Sequence, residues 1–215
     1  MNIGIIGSGN MGRALGKIWS NKGHKVLFSY SREPNNLRAL VDSIAPSALV
    51  GTPAEAAQFG EVIFLAVPWV AVEDALSAAG SLDGKVLITC VSPLKPDFEG
   101  LTTGITAFLE ISAAETIAQL VPTAKVVEAF NLTFAEILES ESRQFGSEQA
   151  SVFYCGDDEQ AKYVTAELIK ESGYEAIDAG PLKTARTLES LATIWVQMAV
   201  VTGMFPNVAL KVLRR

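Results

Sequence analysis

Asn2-Ile3-Gly4-Ile5-Ile6-Gly7-Ser8-Gly9-Asn10-Met11-Gly12 opens the chain as an apolar strand running straight into three glycines at G-x-G-x-x-G spacing. Met11, Ala14, Leu15, Ile18 and Trp19 then recur on one face of a helix that begins inside the glycine run. Each glycine has a physical task. Gly7 permits the tight turn, Gly9 lets a pyrophosphate approach the backbone, and Gly12 lets the helix lie close on the strand. The free N–H groups at the helix start, with Ser8, Asn10 and Met11 around them, form an anion site at the positive end of the helix dipole.

The second strand reads His24-Lys25-Val26-Leu27-Phe28-Ser29-Tyr30, and the residues at its tip discriminate between dinucleotides. An acidic residue there would accept from ribose hydroxyls. This chain has Ser31-Arg32 instead, a hydroxyl and a guanidinium suited to a 2′-phosphate, with Glu33 following. The pattern points to NADP(H) rather than NAD.

Apolar segments continue to alternate with helical ones. Ala48-Leu49-Val50 is a short third strand, and Thr52-Pro53-Ala54-Glu55 has the form of a capping box opening a helix that Gly60 ends. Val62 to Val67 is apolar without alternation, as a central parallel strand covered on both faces would be. It runs into Pro68-Trp69. Lys85 to Cys90 forms the fifth strand and leads to Val91-Ser92-Pro93-Leu94. A loop rich in Gly and Thr (100–106) precedes a second capping box, Ser112-Ala113-Ala114-Glu115. Val126 to Phe130 is the sixth strand, tipped by Asn131, and Thr133 to Glu136 is read as a cap for the next helix. Ser140 to Gln149 is polar and read as an exposed loop. Ala150 to Cys155 and Glu175 to Ala179 are the last strands, flanking a helix capped by Asp158 and stopped at Gly173. The expected fold is α/β: a Rossmann-type doubly wound, mainly parallel sheet, extended by C-terminal strands and closed by C-terminal helices. Residues 1–180 would form the NADP-binding domain and 181–215 a helical segment serving as substrate roof, dimer interface or both.

The closing helix, about Thr184 to Met204, is apolar nearly all round between Leu191 and Val201, and a second short helix is expected after Phe205-Pro206. A membrane span needs ~18 or more unbroken apolar residues, and Gln197, Gly203 and Pro206 interrupt this run. Such a helix must instead be covered on every face, by the chain's own core or by a second subunit that also roofs the nicotinamide site. Both readings stay open.

Hydrophobic residues make up 49% of the 215, as a globular protein with a buried sheet requires. The net charge of −7 argues against non-specific nucleic-acid binding. Cys90 and Cys155 lie far apart in apolar strands, so reduced buried thiols are expected and no metal cluster. With a strand beginning at residue 2, the reading expects no leader segment and a cytoplasmic location.

These motifs together resemble the family of NADPH-dependent reductases of the deazaflavin coenzyme F420. The resemblance rests on Ser31-Arg32, Val67-Pro68-Trp69, Val91-Ser92-Pro93-Leu94, Ser112 to Glu115, Lys125 to Asn131, Gly156-Asp157-Asp158, and Asp178 to Leu182 with Arg186 and Glu189. It implies a homodimer carrying out reversible hydride transfer between NADP(H) and a deazaflavin or flavin, with Val67, Pro68, Trp69, Ser92, Pro93 and Ala129 beside the nicotinamide. Asn131 stands where other relatives carry His, and with Trp195 it is assigned to the acceptor pocket.

The residues agree with a ring-to-ring transfer. Dehydrogenases acting on alcohols need a general acid, most often His or Lys. The single His24 starts the second strand, which places it at the edge opposite the cofactor crevice. Lys95 and Lys183 follow strand ends and are the remaining candidates. Hydride transfer between two flat rings needs positioning more than a protein acid. Two other readings stand beside this one: an imine reductase resembling the pyrroline-5-carboxylate reductases, whose Ser/Thr-Gly-Gly-rich loop is missing from the sequence, and a non-catalytic NADP(H)-binding sensor.

Overall fold

β1 (Asn2–Ile6) leads through the glycine loop into α1 (Asn10–Asn21) and on to β2 (Lys25–Ser29) and β3 (Ala48–Val50). The computed structural model describes residues 1–30, 37–38, 40–41, 44, 48–93, 110–140 and 142–215. The expectations placed on Ser31, Arg32, Glu33, Leu94, Lys95 and the 100–106 loop lie outside the described residues. Next come α2 (Pro53–Phe59), β4 (Val62–Leu65), a 3-10 turn (Trp69–Ala71), α3 (Val72–Ala79), β5 (Val86–Thr89), α4 (Ala113–Leu120) and β6 (Lys125–Ala129). The last part holds α5 (Ala135–Glu139), β7 (Gln144–Phe145), β8 (Glu148–Gln149), β9 (Ser151–Gly156), α6 (Glu159–Glu171), β10 (Glu175–Asp178), a 3-10 turn (Leu182–Thr184) and α7 (Ala185–Val201).

Eight strands form one sheet in the order β10-β9-β6-β5-β4-β1-β2-β3. It is parallel throughout except where β9 runs against β6, pairing Cys155 with Glu128 and Tyr154 with Ala129. The strand order reverses at β1, which has β2 on one side and β4 on the other. That reversal opens the crevice at the carboxyl ends of the strands, where doubly wound sheets bind ligands. The expected fold class is therefore the observed one.

Local signals set the element ends. Thr52 and Ser112 each accept from the backbone N–H three residues on, while Glu55 and Glu115 reach back to close both capping boxes. Asp158 accepts from Ala161 N at 2.8 Å and caps α6. The short α5 departs from expectation: its N-cap is Phe134, with no side-chain cap, not Thr133. The polar 140–149 stretch also departs, folding into a β7–β8 hairpin whose turn holds Gly146 at φ 66°.

Apolar cores cover both faces of the sheet. On one, Trp19 meets Phe64 and Phe130 edge-on, with centroids 5.4 and 6.2 Å away, tying α1 to β4 and to the end of β6. Trp19 Nε1 donates to the Leu168 carbonyl and to Ser172 Oγ, which anchors α6 on the same core. On the other face, α7 packs Leu188, Ala192, Trp195 and Ala199 inward. Its opposite face is not covered: Ile194 is 63% exposed and Val201 69%. Burial on all faces by the chain itself is thus corrected. Among the described residues, no helix is long and apolar enough to cross a membrane. The second short helix expected after Pro206 does not form. The tail is instead held by Ser151, whose N–H donates to Leu210 O while its Oγ accepts from Val212 N.

Candidate functional site

The site is built from the carboxyl ends of β1, β4, β5 and β6. β1 delivers the glycine loop. Gly7 sits at φ 109°, a left-handed conformation that disfavours any side chain, and its N–H donates to Ser29 O. A Cβ at Gly12 would overlap the Gly7 carbonyl oxygen, so α1 can start only where position 12 lacks one. Gly9 is the opposite case: a Cβ there would meet nothing within 4 Å. It is the N-cap of α1, without a side-chain cap and with no acidic residue in the first turn. The α1 start thus presents uncapped N–H groups to open space beside exposed Asn10 and half-buried Met11. Ser8 Oγ donates to Ser29 O at 2.9 Å, which binds the loop to the end of β2.

Among the described residues, two non-glycine residues take positive φ angles, Tyr30 at 54° and Phe130 at 66°, directly after β2 and β6. Both lie at the crevice edge, where side-chain-bearing residues in this conformation concentrate at functional positions. Phe130 turns the chain so that Asn131 follows at the tip of β6.

β4 ends in buried Val67, exposed Pro68 and half-buried Trp69. Beyond β5, Ser92 is half-buried and Pro93 buried; in β6, Ala129 is buried. Thr89 faces Glu128 at the end of the β5–β6 pair, and Ser92 and Asn131 each follow three residues on, beyond the same edge of the sheet. Ser92 Oγ and both amide atoms of Asn131 are buried and have no hydrogen-bond partner among the described residues. Trp195 is also buried, with Nε1 unpartnered. Its ring stacks on Phe134, centroids 6.2 Å and planes 15° apart, and Phe205 meets Phe134 edge-on at 5.1 Å. α7 therefore reaches the segment that follows Asn131.

The remaining candidates fall elsewhere. His24 is at the far edge of the sheet, with Nδ1 3.3 Å from the Met1 amine and Nε2 2.6 Å from Glu171. Lys183 was expected on the cofactor side, but β10 runs parallel to β9 and so against β6. Gly180 O accepts from Gly156 N, and Gly156 faces Val127 in mid-β6, so the chain reaches exposed Lys183 while heading away from the crevice.

Two acids matter more than the sequence suggested. Glu128 is fully buried in β6, flanked by Thr89 and Cys155, and neither carboxyl oxygen has a partner. Burial, reinforced by Glu189, pushes its pKa well above the carboxylate range, so it is held neutral. A lone acid inside Val126-Val127-Glu128-Ala129-Phe130 was the only sequence signal. Glu189 on α7 accepts from Ala113 N at 2.9 Å and Ala114 N at 3.1 Å, capping α4 from another element. Burial raises it to about 7 against those hydrogen bonds. Arg186 grips Glu115 through two 2.7 Å contacts and holds that carboxyl down to about 2. Burial pushes the Cys90 thiol up to about 12 and raises that of Cys155 as well, so both are inert thiols. No group of residues that could hold a metal occurs among the described residues.

Residues 2–93 match the family described as NADP oxidoreductase, coenzyme F420-dependent. Rat metalloreductase STEAP3 is 33% identical over 189 residues, which cover 88% of this chain and 36% of that protein. The F420-dependent NADP reductase of Methanocaldococcus jannaschii is 26% identical over 148 residues, 68% of this chain and 65% of that one. The chain thus spans about a third of the first relative's length and just under two thirds of the second's. Among solved structures, one from Arthrobacter sp. FB24, provisionally named an F420-dependent NADP reductase, superposes with TM-score 0.87 and 28% identity over 99% of both chains. A reductive aminase from Aspergillus terreus shares the fold, with TM-score 0.66 at 18% identity over 96% of this chain and 64% of that one.

Proposed function

We propose that this chain, whose residues 2–93 match the coenzyme F420-dependent NADP oxidoreductase family, transfers a hydride between NADP(H) and a flat flavin-like or deazaflavin acceptor. The family match and the F420-dependent relative support the cofactor pair. The glycine loop fits a dinucleotide: an open Gly9 at an uncapped helix start is where a pyrophosphate binds.

The observation that carries the reading is Asn131. It offers an NH2 donor group and a C=O acceptor, both buried and unpartnered, with unpartnered Ser92 Oγ beyond the end of the neighbouring strand. A carboxamide or imide edge, C=O beside N–H, would satisfy both amide atoms at once. Nicotinamide has such a group, and so does the pyrimidine-dione edge of a flavin or deazaflavin.

NADPH, when bound, supplies the hydride from its nicotinamide ring. The chain's part is to position and to exclude water. Pro68, Trp69, Ser92 and Pro93 would wall the nicotinamide, with Ala129 beneath it and Asn131 and Trp195 on the acceptor side. The C-terminal helix would serve as the roof, and its bare Ile194–Val201 face as the contact with a second copy.

An acceptor screen tests this. NADPH absorbance is followed with coenzyme F420, FMN, a ferric chelate, a cyclic imine and simple aldehydes in parallel. Turnover with the deazaflavin or flavin, blocked by Ser92→Trp while NADPH still binds, is the expected result. Brisk reduction of imines or small carbonyls without any response to the ring acceptors would overturn it.

A further inference from the structure

A cavity of about 460 Å³ opens on the flank of α1, and no residue of the glycine loop lines it. Among the described residues its charged walls are Arg13, Lys17 and Arg143 against Glu139, in a chain of net charge −7. Glu139 answers one of them, at 3.0 to 3.1 Å from the Arg13 guanidinium. Lys17, one helical turn beyond Arg13, makes no ion pair among the described residues.

Arg143 is the group that asks for a ligand. Its Nη2 donates to Leu138 O at 2.5 Å and its stem packs on Gly173, which fixes the guanidinium in place. Its Nε is buried without an acceptor. The neighbouring Tyr174 hydroxyl, within the guanidinium's field, is likewise buried and unpartnered. A buried N–H without a partner is costly, and an oxyanion brought to it would supply the missing acceptor. The opposite wall is apolar, with Ile18 and Leu138. A fixed guanidinium fork beside a free ammonium suits a phosphate, and the volume is in the range of small-molecule sites.

We propose that this cavity is a second anion site that binds a small phosphomonoester, its phosphate on Lys17 and Arg143 and its organic part on the Ile18–Leu138 wall. The site is separate from the dinucleotide crevice and does not depend on which acceptor the chain uses.

Heteronuclear NMR of the arginine Nε–H groups, on protein saturated with NADP⁺, tests this with phenyl phosphate and inorganic phosphate as probes. Phenyl phosphate should shift the Arg143 resonance saturably and bind about tenfold more tightly than inorganic phosphate, because only it reaches the apolar wall. Lys17→Ala and Arg143→Gln should each weaken it about tenfold. Unchanged NADP⁺ affinity in both variants would show that they fold. Equal affinity for the two probes would reduce the site to one for bare phosphate and overturn the phosphomonoester assignment. The absence of any saturable shift, or a shift unchanged in Lys17→Ala, would overturn the site itself.

Discussion

Gly12 lies against the carbonyl oxygen of Gly7, with no room between them for a Cβ, whereas Gly9 two residues after Gly7 faces open space. The three glycines are therefore separable by experiment. Gly12→Ala should cost about 1–3 kcal/mol of stability or more, because backbone must move. Gly9→Ala should cost about 1 kcal/mol or less, yet lower NADPH affinity at least about tenfold by filling the pyrophosphate's space. Denaturant titration and cofactor titration of both variants check this; equal stability losses would refute the division.

Cofactor choice is expected to rest on Arg32. Arg32→Ala should remove a charge-assisted contact worth ~1.5–3 kcal/mol, a ten- to hundredfold loss in NADPH affinity, and leave NADH binding nearly unchanged. Parallel titrations of the two cofactors decide it. Matched losses would make Arg32 structural.

Stability should fall as pH rises from about 4.5. Glu189 is raised to about 7 and burial raises Glu128 well above its ordinary value, so the unfolded chain releases protons that the folded chain keeps. Each pH unit costs on the order of 1 kcal/mol per group until that group ionises in the folded state. Glu115, held at about 2, acts in the opposite sense: its contribution is complete above its ordinary value and disappears as pH falls toward 2. Thermal unfolding between pH 5 and 8 should show a decline in the wild type that Glu128→Gln flattens. A slope unchanged by that substitution would mean that Glu128 titrates alike in both states.

Assembly is expected to use the uncovered face of α7. Ile194, Met198 and Val201 recur one helical turn apart and are exposed, and no charged residue lies between Glu189 and Lys211. Light scattering should give twice the 22.9 kDa chain mass, and Ile194→Glu with Met198→Glu should return it to one chain. A single-chain mass for the wild type at every concentration would dispose of the dimer.

What could be read from the sequence was whatever neighbours in the chain decide. The glycine triplet, the capping boxes at Thr52 and Ser112 and the cap at Asp158 are local chemistry, and all form as expected. The direction of β9 is not local. Ala150 to Cys155 carries the same apolar signature whether it pairs parallel or antiparallel, and the choice moved Lys183 away from the crevice. Glu128 was hidden for the same reason: nothing nearby reveals that Thr89 and Cys155 will enclose it. The Arg143 cavity needs α1 and α5 brought together, which no spacing announces.

The reversal at β9 has one further effect. β6 is the last strand of the main sheet whose carboxyl end opens on the crevice, so the loops that follow β9 and β10 leave from the opposite edge. The chain's final helix returns toward that edge, through Trp195 stacked on Phe134. On the proposed function, grip and choice are thereby written in different parts of the gene: drift in the final helix would exchange one acceptor for another while the dinucleotide cradle stays as it was.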